Sequence, residues 1–473
     1  MSDRFFSPQP NVPGKGIVAS YGPGFWTLVV AIGVIAGLGG AVLMLLLRAV
    51  EHLAWSYRSG TFLHAVQHVS ALHRVLVLLA AGVIAGVGAV GLGRLRGTGG
   101  AEVSDALWLQ DGRLAVRPSV GRGVLSIVIV ALGTSVGREA APQLTGAAAA
   151  SWLCETAGIE RWQRRLLVAC GAGAGMAAVY NVPLGGALFA LEVLLGTVTL
   201  PLVLPALLTT TIATAVAWIA VPDASVYTIP SYAVSASQIT WAVIVGPLAG
   251  LAAVAWVRLI AVVNGLRPQQ RMRVVAPIVV LTALGGLAIA YPQLLGNGKN
   301  TVQLAVTGGL GVGLLAVLLA LKPLVTAACL GSGAPGGLFT PTLAYGVLFG
   351  GLLGHAWTAL WPGAPAGSYA LIGGGAVLAA SMQGPLAAIV LIIELAHHSE
   401  TLMVPLLLAV AGATVIARLL GAPSIYSARL GEKARRTQGG HDRAPQPAPP
   451  APPRPDPERA GEESEGAGAA PWS

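Results

Sequence analysis

The sequence is short of charge. Only 10% of its 473 residues are Asp, Glu, Lys or Arg, whereas a soluble globular chain averages about 25%. So few charges cannot cover a soluble surface. Cysteines number 3. Cys154, Cys170 and Cys329 stand singly in apolar surroundings without metal-ligand spacing, and they read as inert core residues. The 8 histidines are scattered. His397-His398 is the one adjacent pair, and neighbours on a helix do not share a face. A metal site is therefore not expected. No HExxH or GxSxG motif and no nucleophile–base pair stands out. Gly296-Asn297-Gly298-Lys299-Asn300-Thr301 suggests a phosphate loop but lacks the required spacing. The chain is expected not to be an enzyme and to need no cofactor. Its net charge of +9 sits mostly in short loops and the tail, which speaks of topology and a membrane surface, not nucleic acid.

What the chain has in excess is hydrophobicity and glycine. It is 55% hydrophobic, with mean hydropathy +0.73. Long apolar runs recur from Phe25 to Leu420, the pattern of a polytopic membrane protein. The first run, Phe25–Leu47, exceeds the roughly 7–15 residues of a secretory signal core, so it reads as a retained span. Several later runs are shorter than the roughly 20 residues a full span needs. With 63 glycines interrupting them, they point to discontinuous helices. The expected fold is all-α, polytopic, with many short helices.

The parts follow from composition. Residues 1–22 read as a cytoplasmic arm, 23–220 as a first membrane repeat and 221–432 as a second. Residues 433–473 turn to Pro, Ala and charge without periodicity, a tail predicted to be disordered. Arginines cluster at Arg94 and Arg96, at Arg161, Arg164 and Arg165, and at Arg267, Arg271 and Arg273. Short basic loops are normally cytoplasmic, which places both termini inside.

The repeat is visible in the residues. GAGAGMAAVYNVPLGGALFALE (Gly171–Glu192) aligns with GGGAVLAASMQGPLAAIVLIIE (Gly373–Glu394). Pro183-Leu184 meets Pro385-Leu386, and Glu192 meets Glu394, at one offset of 202 (385 − 183). Chance likeness between Gly/Ala-rich helices is the competing explanation. Near the same offset, Gly133–Glu139 (GTSVGRE) faces Gly331–Phe339 (GSGAPGGLF). The longer break, Gly331–Pro341, falls where a membrane helix would otherwise continue. Irregular backbone at membrane depth survives only where it is buried in protein or lines a cavity. Glycines leave successive N–H groups open beside a helix N-terminus, which suits an anion without a buried cation. A re-entrant turn that merely packs is the alternative.

Glu139 is the most informative position. It opens an apolar helix after Gly137-Arg138, where the helix N-terminus favours a carboxylate and desolvation opposes it. Ionised, it would occupy an anion's place; protonated, it would leave. Pairing with Arg138, or facing water, is the alternative. Glu102 follows Gly97-Thr98-Gly99-Gly100-Ala101, where Thr98 offers a hydroxyl, although an ordinary N-cap explains the stretch equally well. Tyr426 offers a phenol after the last span or serves as an interfacial anchor. Glu192 and Glu394 are expected to have structural hydrogen-bonding roles.

These motifs resemble those of the CLC family of chloride channels and chloride/proton exchangers, of the bacterial kind without CBS domains. Gly137-Arg138-Glu139 resembles its G-R-E-G-P motif, and Gly333–Pro341 resembles G-G-x-F-x-P. Gly97–Glu102 is similar to G-S-G-I-P-E, and Ile425-Tyr426-Ser427 to the family's tyrosine segment. The resemblance runs from about residue 25 to 430. It implies a homodimer of inverted repeats in a bacterial plasma membrane, with one anion pathway per subunit. It also implies that Glu139 gates, and that Thr98, Gly99, Gly337, Leu338, Phe339 and Tyr426 hold chloride. The chain departs at Thr98, at Ala140-Ala141-Pro142, and at Val193. Val193 stands where proton-coupled members usually carry a second glutamate. Valine cannot carry a proton. The expected function is passive chloride conduction, gated by Glu139 and pH-dependent. A proton-coupled antiporter using another route, and a variant selective for another anion, are alternatives. A cation-coupled organic-solute transporter is a remote one.

Overall fold

The computed structural model describes residues 21–95, 102–397 and 400–430. Thr98, Gly99 and the expected tail lie outside these residues. The first half holds α1 (Pro23–Trp55), α2 (Phe62–His68), α3 (Ala71–Gly93), α4 (Val103–Leu109), α5 (Val116–Ala131), α6 (Ala140–Thr156), α7 (Arg161–Tyr180), α8 (Pro183–Leu188) and α9 (Leu200–Ala217). After α8 the chain continues as a π-helix, Phe189–Leu195. The second half holds α10 (Ala236–Gly265), α11 (Met272–Ala290), α12 (Lys299–Val306), α13 (Val312–Gly331), α14 (Phe339–Leu360), α15 (Ala366–Met382), α16 (Pro385–Leu395) and α17 (Met403–Leu419). Among the described residues the only strand pairing is two residues long, β1 (Tyr227–Thr228) beside β2 (Ala396–His397), in parallel. Among the described residues, seven helices are long and apolar enough to cross a membrane. The expected all-α architecture is what forms.

The two halves repeat one plan of packing. α6 lies on α7 as α14 lies on α15, and α1 lies on α9 as α10 lies on α17. Small residues make these approaches possible. A Cβ on Gly146 of α6 would strike the Gly171 carbonyl of α7, and one on Gly350 of α14 would strike Gly373 of α15. Without a hydrophobic force between helices in lipid, such backbone proximity supplies the attraction through van der Waals contact.

Where the halves meet, two glutamates cap each other's helices. Glu192, in the π-helix, accepts the Leu386 N–H at 3.2 Å and the Ala387 N–H at 2.6 Å, at the start of α16. Glu394, near the end of α16, accepts the Leu184 N–H at 3.0 Å and the Gly185 N–H at 2.6 Å, at the start of α8. Each carboxylate satisfies orphan donors of the opposite repeat and sits at the positive end of its dipole. The reciprocity preserves the 202-residue offset (386 − 184), so chance likeness does not explain the repeat. Val193, next to Glu192, is buried and packs against Gly384, where no Cβ would fit.

Replacing Glu394 or Glu192 by Ala strands two helix-end donors at a partly buried seam. The cost expected is on the order of 2–4 kcal/mol. Thermal unfolding of the detergent-solubilised protein should show a midpoint several degrees lower for either variant. An unchanged midpoint in both would remove the capping role.

Candidate functional site

The two glycine breaks form one structure. α5 ends at Ala131 and α6 begins at Ala140; α13 ends at Gly331 and α14 begins at Phe339. Each break turns on a glycine in the left-handed region, Gly133 at φ 100° and Gly333 at φ 97°, a conformation that costs glycine little. The chains then run antiparallel and meet. The Gly137 N–H donates to the Gly337 carbonyl and the Gly337 N–H to the Gly137 carbonyl, both at 2.8 Å. The expectation of Gly337 as an anion-binding residue therefore meets a constraint: its N–H is already committed to this bridge.

Glu139 rises from the bridge. It is the N-cap residue of α6, yet its side chain makes no capping bond there. The carboxylate crosses to the other repeat, where Oε1 accepts the Phe339 N–H at 2.7 Å, at the start of α14. Oε2 accepts from the Tyr180 hydroxyl at 3.1 Å and the Thr340 hydroxyl at 3.3 Å. The two hydroxyls lie 2.6 Å apart. Glu139 is 1% exposed, and a Cβ on Gly137 or Gly337 would overlap its carboxylate. Both positions must be glycine for the carboxylate to lie where it does. Of the alternatives in the sequence, neither an Arg138 pair nor a water-facing carboxylate is what forms.

The carboxylate lies between two cavities. One, of about 380 Å³, reaches Glu139, Gly337, Leu338 and Tyr426. The other, of about 780 Å³, is lined by Arg138, the residue before Glu139, and by Tyr180, its hydrogen-bond donor. The Tyr180–Glu139 hydrogen bond thus joins a residue of each. In the smaller cavity, the buried Tyr426 hydroxyl has no hydrogen-bond partner among the described residues, an arrangement that costs free energy unless a ligand or water completes it. Its ring is held edge-on to Phe189 at 5.5 Å. Phe339 gives its N–H to Glu139, and Val193 lines neither cavity.

Several bonds fix the Tyr426 segment. Ile425 N–H donates to the Ser381 carbonyl at 2.8 Å, and Asn264 of α10 donates to the Arg429 carbonyl at 2.8 Å. The Arg429 guanidinium reaches Glu102 at 3.0 Å and the Gly336 carbonyl at 3.5 Å. One arginine therefore ties the tyrosine segment to the second break and to the residue after Gly97–Ala101. Burial pushes the Glu102 carboxyl up, but Arg429, Arg267 and Arg122 outweigh it and hold it below the usual carboxylate range. In the larger cavity, burial and then the charge of Arg138 push Lys299 down to about 8, so one of its positive charges is lost at mildly alkaline pH.

Sequence reasoning missed Tyr180, Thr340 and Arg429. A phenol ending the nearly all-small helix Gly171–Tyr180 was the available signal for Tyr180. Arg429 gave none, because its partners lie 327 and 93 residues away.

The chain is similar to several known proteins. The family model described as voltage gated chloride channel matches residues 81–418. A putative chloride channel protein ClcB-like of Ralstonia nicotianae is 34% identical over 76% of this chain and 85% of its own length. A voltage-gated ClC-type chloride channel ClcB of Escherichia coli is 33% identical over 83% of this chain and 94% of its own. Two solved structures share the fold. A slow cyanobacterial Cl-/H+ antiporter has TM-score 0.75 at 21% identity, covering 90% of this chain and 100% of that one. A CLC-type fluoride/proton antiporter has TM-score 0.67 at 20% identity, covering 86% and 97%. With these motifs joined at one buried carboxylate between two cavities, the chain belongs to the voltage gated chloride channel family and is a multi-pass integral membrane protein.

Proposed function

We propose that the protein conducts chloride passively, with Glu139 as a protonatable gate. The observation that carries this reading is the position of the Glu139 carboxylate, hydrogen-bonded across the repeats between two cavities. A carboxylate there satisfies the donors an anion would otherwise meet. Protonation removes its charge, weakens its charge-assisted hydrogen bonds, and frees the donors for chloride. Beside the gate, the Tyr426 hydroxyl and the start of α14 would bind the ion, with Thr98 and Gly99 completing the site as the family resemblance implies. Chloride suits such a site because it needs hydrogen-bond donors and no buried cation.

The cavity holding Tyr426 is lined by Arg267, after α10, and Arg273, in the first turn of α11, at the junction that the positive-inside pattern places in the cytoplasm. It is then the inner vestibule, in a bacterial plasma membrane with both termini inside. Exposed apolar residues on α9, α16 and α17, such as Leu204, Leu386 and Val415, suit lipid or the second subunit of a homodimer.

Passive conduction is favoured by the inner carboxylates. Val193 cannot titrate. Glu102, the other carboxylate lining the inner cavity, is held ionised by Arg429 and Arg267 and makes a poor proton carrier near neutrality. The second reading, a proton-coupled antiporter, draws on Asp105. Burial and the neighbouring Glu102 push its carboxyl up to about 6, within reach of cytoplasmic pH.

Glu139→Gln should leave chloride flux nearly independent of pH, measured as efflux from liposomes between pH 4 and 8 (about the range in which a carboxyl can titrate). A pH profile like that of the parent protein would remove Glu139 from the gate. Tyr426→Ala should weaken chloride binding roughly tenfold, about the value of one hydrogen bond to a charged group, read by titration calorimetry. Equal affinity would take Tyr426 out of the binding site.

A further inference from the structure

We propose that Tyr180 and Thr340 form a hydroxyl latch on Glu139 and become anion ligands when its carboxylate leaves. The proposal rests on the reading of Glu139 as a protonatable gate and names two side chains that act on it. Both are almost fully buried, Tyr180 at 2% and Thr340 at 1% exposure. They come from different repeats, Tyr180 from the end of α7 and Thr340 from the first turn of α14. Their hydroxyls, 2.6 Å apart, converge on one carboxylate oxygen.

Proton counting shows what the pair can do. Each hydroxyl carries one hydrogen, and the two hydroxyls and Oε2 form three close contacts, at 2.6, 3.1 and 3.3 Å. Two hydrogens cannot serve three contacts at once. Either both hydroxyls donate to the carboxylate, or one donates to the other, which passes its own hydrogen on. In both arrangements an ionised oxygen receives at least one charge-assisted bond, beside the Phe339 N–H on Oε1. Donors aimed at the charged form favour it. The latch therefore holds the gate shut until the pH is lower than the carboxylate alone would need.

Once the carboxylate leaves, one hydroxyl can still donate to the other, but the second hydroxyl hydrogen and the Phe339 N–H have no acceptor. Two buried hydroxyl groups and the Phe339 N–H then surround the position it held. Leaving them unsatisfied is costly, and a halide needs several donors at short range. The latch thus doubles as a subsite. Tyr180 also lines the larger cavity, and the Arg138 guanidinium lies over its ring, 4.9 Å from the centroid. An anion at this position would stand within the field of a fixed positive charge and at the mouth of that cavity.

The other groups that feel the Glu139 charge do not compete for its pH response. They are the phenols of Tyr180, Tyr227 on β1 and Tyr426, with Arg138 adjacent in the chain. A phenol ordinarily titrates near 10, above the range of the test. Among the groups that touch the Glu139 carboxylate, none but its own carboxyl changes charge between roughly pH 4 and 8; Glu51 and Lys299 line the larger cavity and act on that carboxyl through Arg138.

The test compares Tyr180→Phe and Thr340→Val with the parent protein. Both substitutions keep shape, and Tyr180→Phe retains the ring that packs on Phe339 and carries Arg138. Chloride flux is measured against pH in liposomes. The midpoint of activation should rise by roughly one pH unit in Tyr180→Phe, the equivalent of one charge-assisted hydrogen bond. Thr340→Val should shift it in the same direction by less, because its bond is longer. Chloride affinity is then measured with the gate neutralised. Glu139→Gln/Tyr180→Phe should bind chloride several-fold more weakly than Glu139→Gln alone. Unmoved midpoints in both latch variants, or equal affinities in this second comparison, would overturn the proposal. If Tyr180→Phe fails to fold, Thr340→Val decides both parts. A flat profile in Glu139→Gln with unmoved latch variants condemns the latch alone. An unchanged profile in Glu139→Gln condemns the gate itself.

Discussion

Two peptide hydrogen bonds between Gly137 and Gly337 set the geometry on which the site depends. They join the two glycine breaks where neither chain is helical, and so they pay at membrane depth for backbone groups that lipid cannot satisfy. The bridge also fixes distance. With both positions lacking a Cβ, the Glu139 carboxylate can lie against the pair and reach the N-terminus of α14. Any side chain at either glycine would expel it. The interaction couples the repeats at one point, and the reciprocal caps of Glu192 and Glu394 couple them at another.

The electrostatic logic follows from that frame. On the proposed reading, the path between the cavities is closed by a carboxylate whose donors are neutral, backbone N–H groups and two hydroxyls. Basic side chains line both cavities, Arg138 and Lys299 the larger and Arg267 and Arg429 the smaller. A buried cation in direct contact would hold the carboxylate, or a chloride in its place, too tightly for release. On that reading, neutral donors would bind an anion weakly enough to let it go, while the cations lining the two cavities would attract anions to them.

Much of this was legible in the sequence because glycine and proline leave local traces. The breaks at Gly133–Glu139 and Gly331–Pro341 could be placed to within a few residues, as could the repeat that relates Glu192 to Glu394. Glu139 stood out as a carboxylate opening an apolar helix. Its partners did not, since nothing local links Tyr180 or Thr340 to a residue 41 or 201 positions away. Arg429 was hidden for the same reason. Gly337 illustrates the converse. The resemblance assigns it to chloride; in the structure Gly137 and the Glu139 carboxylate approach it closely, and its N–H donates to the Gly137 carbonyl. Thr98 and Gly99, which the motif resemblance assigns to chloride, lie outside the described residues.

The central claim is passive conduction past a glutamate gate, and the most direct measurement follows chloride and protons together. The purified protein is placed in chloride-loaded liposomes, and chloride efflux and external pH are recorded at once. The account predicts efflux that requires valinomycin to dissipate the voltage and drives no uphill proton movement. Uphill proton movement coupled to chloride efflux, and abolished by a protonophore, would contradict it.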